Sequence, residues 1–516
     1  MTLSSQSASN VTEDQSIDSR KNEIYDSASS MKQGVAWAVF MRWTMRLIGL
    51  FSTLILARVL SPEDFGIAAM GMLVLHFLFE VSEFGTEMHL IRAKEINRVN
   101  CDTAWTITLL QGVLTSVVLA ALASPAAIYF KEPRVVEVMY VLALAALIGG
   151  FENIGPVLLR RDLQFARDFR FNVYKKILVF CTTIISALVL RNYWALVLGH
   201  LAGTIAGVVL SYVVHSYRPR WSLGYAREYI TFAMAIIPLR VATTLRGMIS
   251  SFLVAGLGNA SVLGSFRVAG DLSSLFTREI VTPMGRGLLP NYTRLADRPE
   301  ELSGMYRKVL SMVALVCIPA GVGVSAIADD LVLVLLGDQW GFAAMLMKYL
   351  AIGAAIFAVS QAMVNQILVA TGRERSAAVL AWVRLGITFP ILWAGFELGG
   401  APGIAKASIV ASLVCLPVIY NETRRAVMLP LFALMGLLWR PIVAAVVMHF
   451  VVGTLYSSEL EWAILRLFLE SIIGALTFVG VMVVLWLVSG RPRGAESIAF
   501  GVATQLLSAA RDRILR

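Results

Sequence analysis

Apolar stretches long enough to cross a membrane recur along almost the whole chain. The first of them, VFMRWTMRLIGLFSTLILARVL, occupies residues 39–60. Hydrophobic residues make up 58% of the sequence and charged residues only 15%, whereas soluble proteins contain about 45–50% and about 25%. A helix satisfies its own backbone hydrogen bonds in lipid, and about 20 apolar residues are enough to span the bilayer. We therefore predict an all-α membrane protein with many transmembrane helices.

The apolar stretches predict about fourteen transmembrane helices, called spans 1 to 14 here. They lie near residues 34–58, 65–87, 104–129, 136–158, 173–190, 193–214, 230–256, 262–285, 309–328, 343–370, 376–396, 402–420, 428–455 and 463–489. Residues 1–33 are polar and predict a disordered tail. Apolar residues at helical spacing within 491–516 predict a cytoplasmic amphipathic helix on the membrane surface.

Lysine and arginine are distributed unevenly between the predicted loops. The loops after even-numbered spans contain twenty-one of these residues when Lys175 and Lys176 at the start of span 5 are included, and those after odd-numbered spans contain five when Arg58 and Lys406 at span ends are included. Loops rich in lysine and arginine stay in the cytoplasm, so we expect a multi-pass protein of the bacterial inner membrane with both termini cytoplasmic. The net charge of +10 comes largely from these loops. Without a basic patch or tail, it does not indicate a nucleic-acid partner.

Spans 1 and 7 begin an internal repeat. Residues 34–66 align with residues 232–264 without a gap, at an offset of 198. The identical pairs are Arg42 and Arg240, Leu47 and Leu245, Gly49 and Gly247, Ser52 and Ser250, Ala57 and Ala255, and Gly66 and Gly264. Both copies start in the cytoplasm, so the repeat is parallel.

The repeat predicts two parallel six-helix lobes, at residues 34–220 and 221–425, followed by spans 13 and 14 at residues 426–490. The second helix of each copy has its own capping residue. Ser61, followed by Pro62, caps span 2, and Asn259 occupies the same place before span 8. Two such lobes place a substrate cavity at their interface.

Several arginines lie inside the predicted spans, where a charged side chain must face water or protein. Those that we assign to a substrate-binding cavity are Arg42, Arg46, Arg240, Arg246, Arg267 and Arg278. Arg384 in span 11 and Lys348 near the outer end of span 10 are further cations. A cavity with an excess of arginine attracts anions, and the planar guanidinium binds two phosphate oxygens at once. The alternative is that these residues form structural ion pairs, as Arg267 and Asp271 would within span 8.

Glu80, Glu152 and Asp271 are the carboxylates at membrane depth that we select as candidates for binding a coupling ion. Glu80 shares a helix face with His76 and Glu83. The alternative is that this face forms a polar seam. No metal site is expected at this face, because no other feature of the sequence supports one. The four cysteines are scattered and show neither a disulfide nor a metal-binding pattern. No nucleotide-binding loop is present in the sequence, and no cofactor is expected.

Four motifs resemble the polysaccharide-export flippases of the multidrug/oligosaccharidyl-lipid/polysaccharide exporter superfamily. They are LARVLSPEDFGIAAM at 56–70, VLLRRDLQFARDFR at 157–170, GLLPNYTRLADRPEEL at 287–302 and LVLVLLGDQW at 331–340. The resemblance implies that the chain moves a polyprenyl-pyrophosphate-linked oligosaccharide across the inner membrane by alternating access. Such a protein serves exopolysaccharide or O-antigen assembly, performs no covalent chemistry, and works beside polysaccharide polymerase or export machinery. It also implies that Arg42 and Arg46 help to hold the pyrophosphate.

Two relatives of this function remain as alternatives. A lipid II flippase would share the basic cavity, and a multidrug exporter of the same superfamily would favour acidic and aromatic residues there. The excess of arginine argues against the exporter. A membrane glycosyltransferase or polymerase would need a large outer loop with catalytic groups, and the longest outer loop predicted here is only about 328–342.

Overall fold

The computed structural model describes residues 40–93, 96–361, 364–455, 462–491 and 496. Within these residues the regular elements are all helices, as predicted from the sequence. The predicted tail at residues 1–33 lies outside the described residues. So does most of the predicted amphipathic segment at 491–516, of which Arg491 and Glu496 are described.

Nineteen helices follow one another along the described chain. The first nine are α1 Phe40–Val59, α2 Pro62–Ser82, α3 Thr86–Arg92, α4 Arg98–Ala121, α5 Ala123–Phe130, α6 Val135–Gly149, α7 Gly155–Arg161, α8 Phe165–Leu190 and α9 Trp194–Val214. The next five are α10 Ala226–Leu257, α11 Ala260–Ser273, α12 Leu275–Arg294, α13 Pro299–Ala326 and α14 Ala328–Leu335. After a 3₁₀ turn at Asp338–Trp340, the last five are α15 Gly341–Ser360, α16 Val364–Ala370, α17 Glu374–Val427, α18 Leu431–Leu455 and α19 Ala463–Val488.

Ten of the described helices are long and apolar enough to cross a membrane, and α10 is an eleventh if its bent halves count as one span. The bend in α10 falls next to Pro238, where the proline ring removes one backbone donor and clashes with the preceding turn. Many apolar helices of this length identify a multi-pass membrane protein.

The 54-residue α17 is two helices joined at Gly399 and Gly400, which have non-helical backbone angles. Gly400 has a φ of 60°, a conformation that glycine adopts without steric cost. The two limbs then run back along each other. A Cβ atom placed on Gly403 would lie 1.8 Å from the carbonyl oxygen of Gly395, so glycine is required at this contact.

The chain divides into two compact units. The first contains the described residues up to Leu56, those of Glu83–Val118, and Val141–Ala233. Its buried core includes Leu90, Ala104, Ile107, Ile154 and Tyr229. The predicted lobe boundaries at residues 220 and 425 come from the internal repeat, whereas the two units are defined by which residues are in contact. The lobe boundaries stay a prediction.

The second unit contains Ala57–Ser82, Leu119–Tyr140 and the described residues from Met234 onward. A large part of its core lies between α12, α13, α15, α16 and α18, where Tyr292, Tyr306 and Leu310 are buried together. The candidate cavity described below also lies within this unit.

The predicted capping residues begin α2 and α11. The backbone amide of Asp64 donates to the hydroxyl of Ser61 over 3.2 Å, and the Ser61 amide donates back to the Asp64 carboxylate over 3.0 Å. At α11 the amide of Val262 donates to the side-chain oxygen of Asn259 over 2.9 Å. Both predicted caps are confirmed, because each side chain satisfies a backbone donor that the helix leaves unpaired.

Within the second unit, α2 and α11 cross at a pair of glycines. A Cβ atom on Gly66 would lie 1.7 Å from the carbonyl oxygen of Ala260, and one on Gly264 would lie 1.9 Å from that of Pro62. The repeat offset of 198 relates Gly66 to Gly264 and Pro62 to Ala260. The contact is therefore reciprocal, as expected of two copies related by a pseudo-two-fold axis. Small residues allow two membrane helices to approach this closely.

The motif at 331–340 anchors the end of α1 within the second unit. The indole of Trp340 is fully buried and donates to the carbonyl oxygen of Ala57 over 2.8 Å, and the Gln339 amide donates to the same oxygen over 2.7 Å. Arg58 donates to the carbonyl oxygen of Val334 over 2.5 Å. Most of the predicted outer loop at 328–342 is helical, because it contains α14 and the 3₁₀ turn. Its residues make specific contacts with α1.

Candidate functional site

A cavity of 420 Å³ lies in the second unit, bounded mainly by α10, α11, α15 and α17. Small and hydroxyl-bearing residues such as Ser250, Gly270, Gly353 and Ser408 form much of its wall. They leave space at the centre because their side chains are short. Three of the predicted site residues line this cavity together: Arg246, Arg267 and Asp271.

Arg246 and Arg384 reach the cavity from α10 and from the first limb of α17. The guanidinium carbon of Arg246 lies 4.8 Å from the ring centroid of Phe357, a cation–π contact. Arg384 is only 5% exposed, and its Nη1 donates to the side-chain oxygen of Gln361 over 2.6 Å. The sequence identified Arg384 as a deep cation but did not assign it to the site, since helical periodicity alone does not show which faces of separate helices meet.

Arg267 and Asp271 lie one turn apart on α11, and both face the cavity. No ion pair joins these two side chains among the contacts of the described residues. The cavity wall thus contains three arginines and one aspartate. For Arg278, the backbone lies in α12, but its side chain lies outside the described part of the chain.

Arg240 of α10 lies opposite a carboxylate from another helix. Its Nε is 4.0 Å from the Oε2 of Glu80 on α2, and both helices belong to the second unit at these residues. Span 7 itself offers few acids, so the carboxylate that balances Arg240 comes from a different span. This contact brings one predicted anion-binding residue together with one predicted ion-coupling residue.

Arg42, Arg46 and Glu152 belong to the first unit. Arg42 and Arg46 are half-buried on α1, and the cavity described above does not include them. Glu152 forms an ion pair with Lys175, with 3.4 Å between the carboxylate and the ammonium nitrogen.

A second group of buried charged residues was not predicted. Asp330 at the start of α14 is 2% exposed, and its two carboxylate oxygens accept from Nε and Nη2 of Arg466 on α19. Glu470, one turn further along α19, is 3% exposed. The signal was present in the sequence, because Arg466 and Glu470 interrupt the apolar span 14 at a spacing of four residues.

Lys348 also makes a specific contact. Its ammonium nitrogen lies 2.6 Å from the carboxylate of Asp329, the neighbour of Asp330. Within the described residues, no cluster of three or more His, Cys, Asp or Glu side chains has the arrangement of a metal site.

A family model described as "Polysaccharide biosynthesis protein" matches residues 55–345, more than half of the chain. The chain belongs to this family. The matched residues include all four motifs on which the resemblance was based, so the resemblance predicted from the sequence is confirmed.

Characterised relatives are distant but cover most of the chain. The lipopolysaccharide biosynthesis protein WzxC of Escherichia coli is 21% identical over 74% of this chain and 78% of its own length. The succinoglycan biosynthesis transport protein ExoT of Rhizobium meliloti is 22% identical over 87% of this chain and 92% of its own length.

Solved structures show the same fold. The lipid II flippase MurJ in an inward closed conformation matches with a TM-score of 0.71 at 10% identity, covering 88% of this chain and 99% of MurJ. An inward-facing multidrug transporter of the MATE family matches with a TM-score of 0.55 at 14% identity, covering 74% and 96%. At these identities the likeness shows the fold of a multi-pass transporter.

Proposed function

We propose that this protein is a flippase that moves a polyprenyl-pyrophosphate-linked oligosaccharide from the inner to the outer leaflet of the bacterial inner membrane. The observation that carries the proposal is the cavity with three arginines and one aspartate, in a chain of the polysaccharide biosynthesis family. Buried arginines are costly in a membrane unless they serve an anion or a partner. The names of WzxC and ExoT, which refer to lipopolysaccharide and to succinoglycan transport, support a substrate of this class.

The proposed architecture has fourteen spans and alternates between inward-open and outward-open states. The limbs of α17, the 15-residue α6 and the pair α11–α12 supply spans beyond the long single helices. In this proposal the lobes at 34–220 and 221–425 move relative to each other. Polymerase or export machinery would consume the oligosaccharide on the outer side.

The proposed role of the arginines is to hold the pyrophosphate and acidic sugars during the crossing. Arg246 and Arg267 line the cavity of the second unit. Arg42, Arg46, Arg240 and Arg278 extend this role to the other deep positions of spans 1, 7 and 8. A guanidinium is suited to this task because it stays charged at all relevant pH values and presents paired donors.

The proposed coupling site is Glu80. Its contact with Arg240 at 4.0 Å means that a phosphate arriving at Arg240 competes with the carboxylate. Once displaced, Glu80 becomes the group that binds the coupling ion. Glu152 is the weaker candidate because Lys175 already neutralises it, and Asp271 shares the cavity wall with three arginines.

Transport into inside-out membrane vesicles tests the proposal. Labelled polyprenyl-pyrophosphate oligosaccharide is expected to become protected from external enzymes in vesicles that contain the protein, and not in vesicles without it. Lipid II and a cationic dye serve as competing substrates. Preferred uptake of either one would replace the proposed substrate with that of the corresponding relative.

The same vesicles test the coupling ion. We expect uptake to slow when the proton gradient is collapsed at constant sodium, and to lose this dependence in Glu80→Gln. A rate that ignores the gradient would rule out proton coupling. Normal gradient-driven uptake by Glu80→Gln would move the role to another carboxylate.

A further inference from the structure

Glu470 of α19 has a buried carboxyl oxygen without a hydrogen-bond donor. The residue is 3% exposed, and its Oε1 is inaccessible and accepts no hydrogen bond from the described residues. One turn further along α19, Gly474 lies against Val452 and Met448 of α18, where an apolar cluster begins. Buried polar atoms are nearly always paired in native proteins, so a donor for this oxygen is expected.

The charges around Glu470 do not balance. Among the described residues, those that act on it electrostatically are Asp330 and Asp329 of α14 and Arg466 of α19. Lys348 of α15 pairs with Asp329 over 2.6 Å. Helix α19 also packs against α13 and α18, but neither helix adds a described charged residue to this set. Three carboxylates and two cations leave one excess negative charge.

The contact between Asp330 and Arg466 leaves Glu470 without a cation of its own. The two oxygens of Asp330 accept from Nε and Nη2 of Arg466. The carboxyl group of Glu470 lies within hydrogen-bonding reach of the Asp330 carboxyl group. Ionised carboxylates only accept hydrogen bonds, whereas a protonated carboxyl group also donates one. A single proton therefore supplies both the missing donor and the missing positive charge.

We propose that Glu470 and Asp330 form a proton-binding site in which the two carboxyl groups share one proton next to Arg466. The proton belongs to the pair of acids rather than to either one. It makes the group of charges neutral and so removes the cost of burying an uncompensated carboxylate. None of these residues lines the arginine-rich cavity, and the site does not rest on the proposed function.

The partly exposed members of the group give the proton a route to the site. Arg466 lies in the first turn of α19, and its side chain is partly exposed. Lys348 and Asp329, the neighbour of Asp330, are also partly exposed. Helix α19 follows the predicted outer loop at 457–462. In the predicted orientation, the site therefore exchanges its proton with the outer side of the membrane.

Infrared spectroscopy of the purified full-length protein at neutral pH tests the site, because a protonated carboxyl group has its own C=O stretching band. We expect the wild type to show this band and Glu470→Gln to lose it, since Arg466 then balances Asp330 without a proton. Asp330→Asn should lose the band as well, because Arg466 then balances an ionised Glu470.

Glu397→Gln is the matched control. It removes an exposed glutamate near the end of the first limb of α17 and should leave the band unchanged. An unchanged band in Glu470→Gln would overturn the proposal. A band that is lost in Glu470→Gln but kept in Asp330→Asn would make burial alone the cause, and it would overturn the shared proton.

The pH dependence of unfolding is a second measurement, which needs only Glu470→Gln to fold. Glutamine resembles the protonated glutamate but has no proton to lose. Where the folded protein holds a proton that the unfolded protein has lost, stability falls as the pH rises. The unfolding equilibrium of the wild type relative to Glu470→Gln should shift toward the unfolded state by about tenfold per pH unit in that range. A difference that stays constant with pH would overturn the site.

Discussion

At the scale of single residues, Arg240 and Glu80 form the contact with the clearest functional consequence. The two side chains lie 4.0 Å apart, and the side chain of Arg240 is 27% exposed. We expect Arg240→Ala to abolish polysaccharide export while the protein still accumulates in the membrane, and Arg42→Ala to do the same. Losing a charge-assisted contact to phosphate costs roughly 1.5–3 kcal/mol, about ten- to a hundred-fold in binding. Export in a deletion strain measures the effect.

Lysine variants and a surface arginine complete this experiment. Arg240→Lys should restore part of the export, because the charge remains but the paired donors are lost. Arg298→Ala removes an exposed arginine paired with Glu301 over 3.3 Å and should export normally. Full export by both Arg42→Ala and Arg240→Ala would show that these arginines are structural.

A group of charged residues in the turn after α5 gives a pH-dependent prediction. Arg134 donates to Glu132 over 2.7 Å and to Glu63 over 2.5 Å. The hydrogen bond from the Arg134 side chain lowers the pKa of Glu132 below its ordinary value. The lowered pKa means that this contact stabilises the folded protein above the ordinary pKa of glutamate and that the benefit disappears as the pH falls through the lowered value.

The prediction concerns the difference between Arg134→Gln and the wild type. Because Arg134 and Glu63 are solvent-exposed, the variant should lose no more than about 1 kcal/mol of stability at pH 7. At a pH below the lowered pKa of Glu132, the difference should shrink toward zero. Thermal unfolding of the purified protein at the two pH values measures it. A difference that grows with falling pH would be inconsistent with the assigned cause.

At the scale of helices, the crossing of α2 and α11 depends on two glycines. A methyl group at Gly66 or Gly264 would lie within 2 Å of a backbone carbonyl of the other helix, so the helices would have to move apart. We expect Gly66→Ala and Gly264→Ala each to destabilise the protein by about 1–3 kcal/mol, the usual cost of overpacking. Thermal unfolding measures this loss.

Gly270→Ala is the control for this contact. Gly270 lies on the same helix as Gly264, but no heavy atom lies within 4 Å of a Cβ atom added there. The variant should be as stable as the wild type or slightly more so, because alanine favours helix over glycine. Equal unfolding temperatures for all three variants would mean that the close approach of α2 and α11 contributes little to stability.

At the scale of the whole molecule, the orientation in the membrane is the central prediction. The excess of lysine and arginine in alternate loops predicts that both termini and residues 159–176 are cytoplasmic and that residues 457–462 are outside. In a background without the four native cysteines, Ser458→Cys should react with a membrane-impermeant thiol reagent in intact cells. Arg167→Cys should react only after the membrane is opened. The reverse pattern would invert the orientation and the direction of transport.

The sequence by itself determined the class of fold, the helix-capping residues and the family. Long apolar stretches can only be helices in lipid, so the predicted spans fall on helices, but several limits differ, as in α13, which begins at Pro299 rather than near residue 309. Ser61 and Asn259 were predicted correctly as caps because capping depends on the three or four residues that follow. The repeat also related Gly66 to Gly264 before their reciprocal contact was known. All of these features depend on neighbours in the sequence or on direct comparison of two segments.

Only the tertiary structure decided which charges meet. Arg246 shares its cavity with Arg384, Arg240 faces Glu80, and Arg466 pairs with Asp330, although the partners are separated by more than 100 residues. The helical period gives the face of each helix that carries a charge, but not the rotation and height at which one helix packs against another. That arrangement follows from the packing of many side chains along each contact, and small residues such as Gly66 and Gly264 fix it by setting how closely two backbones approach.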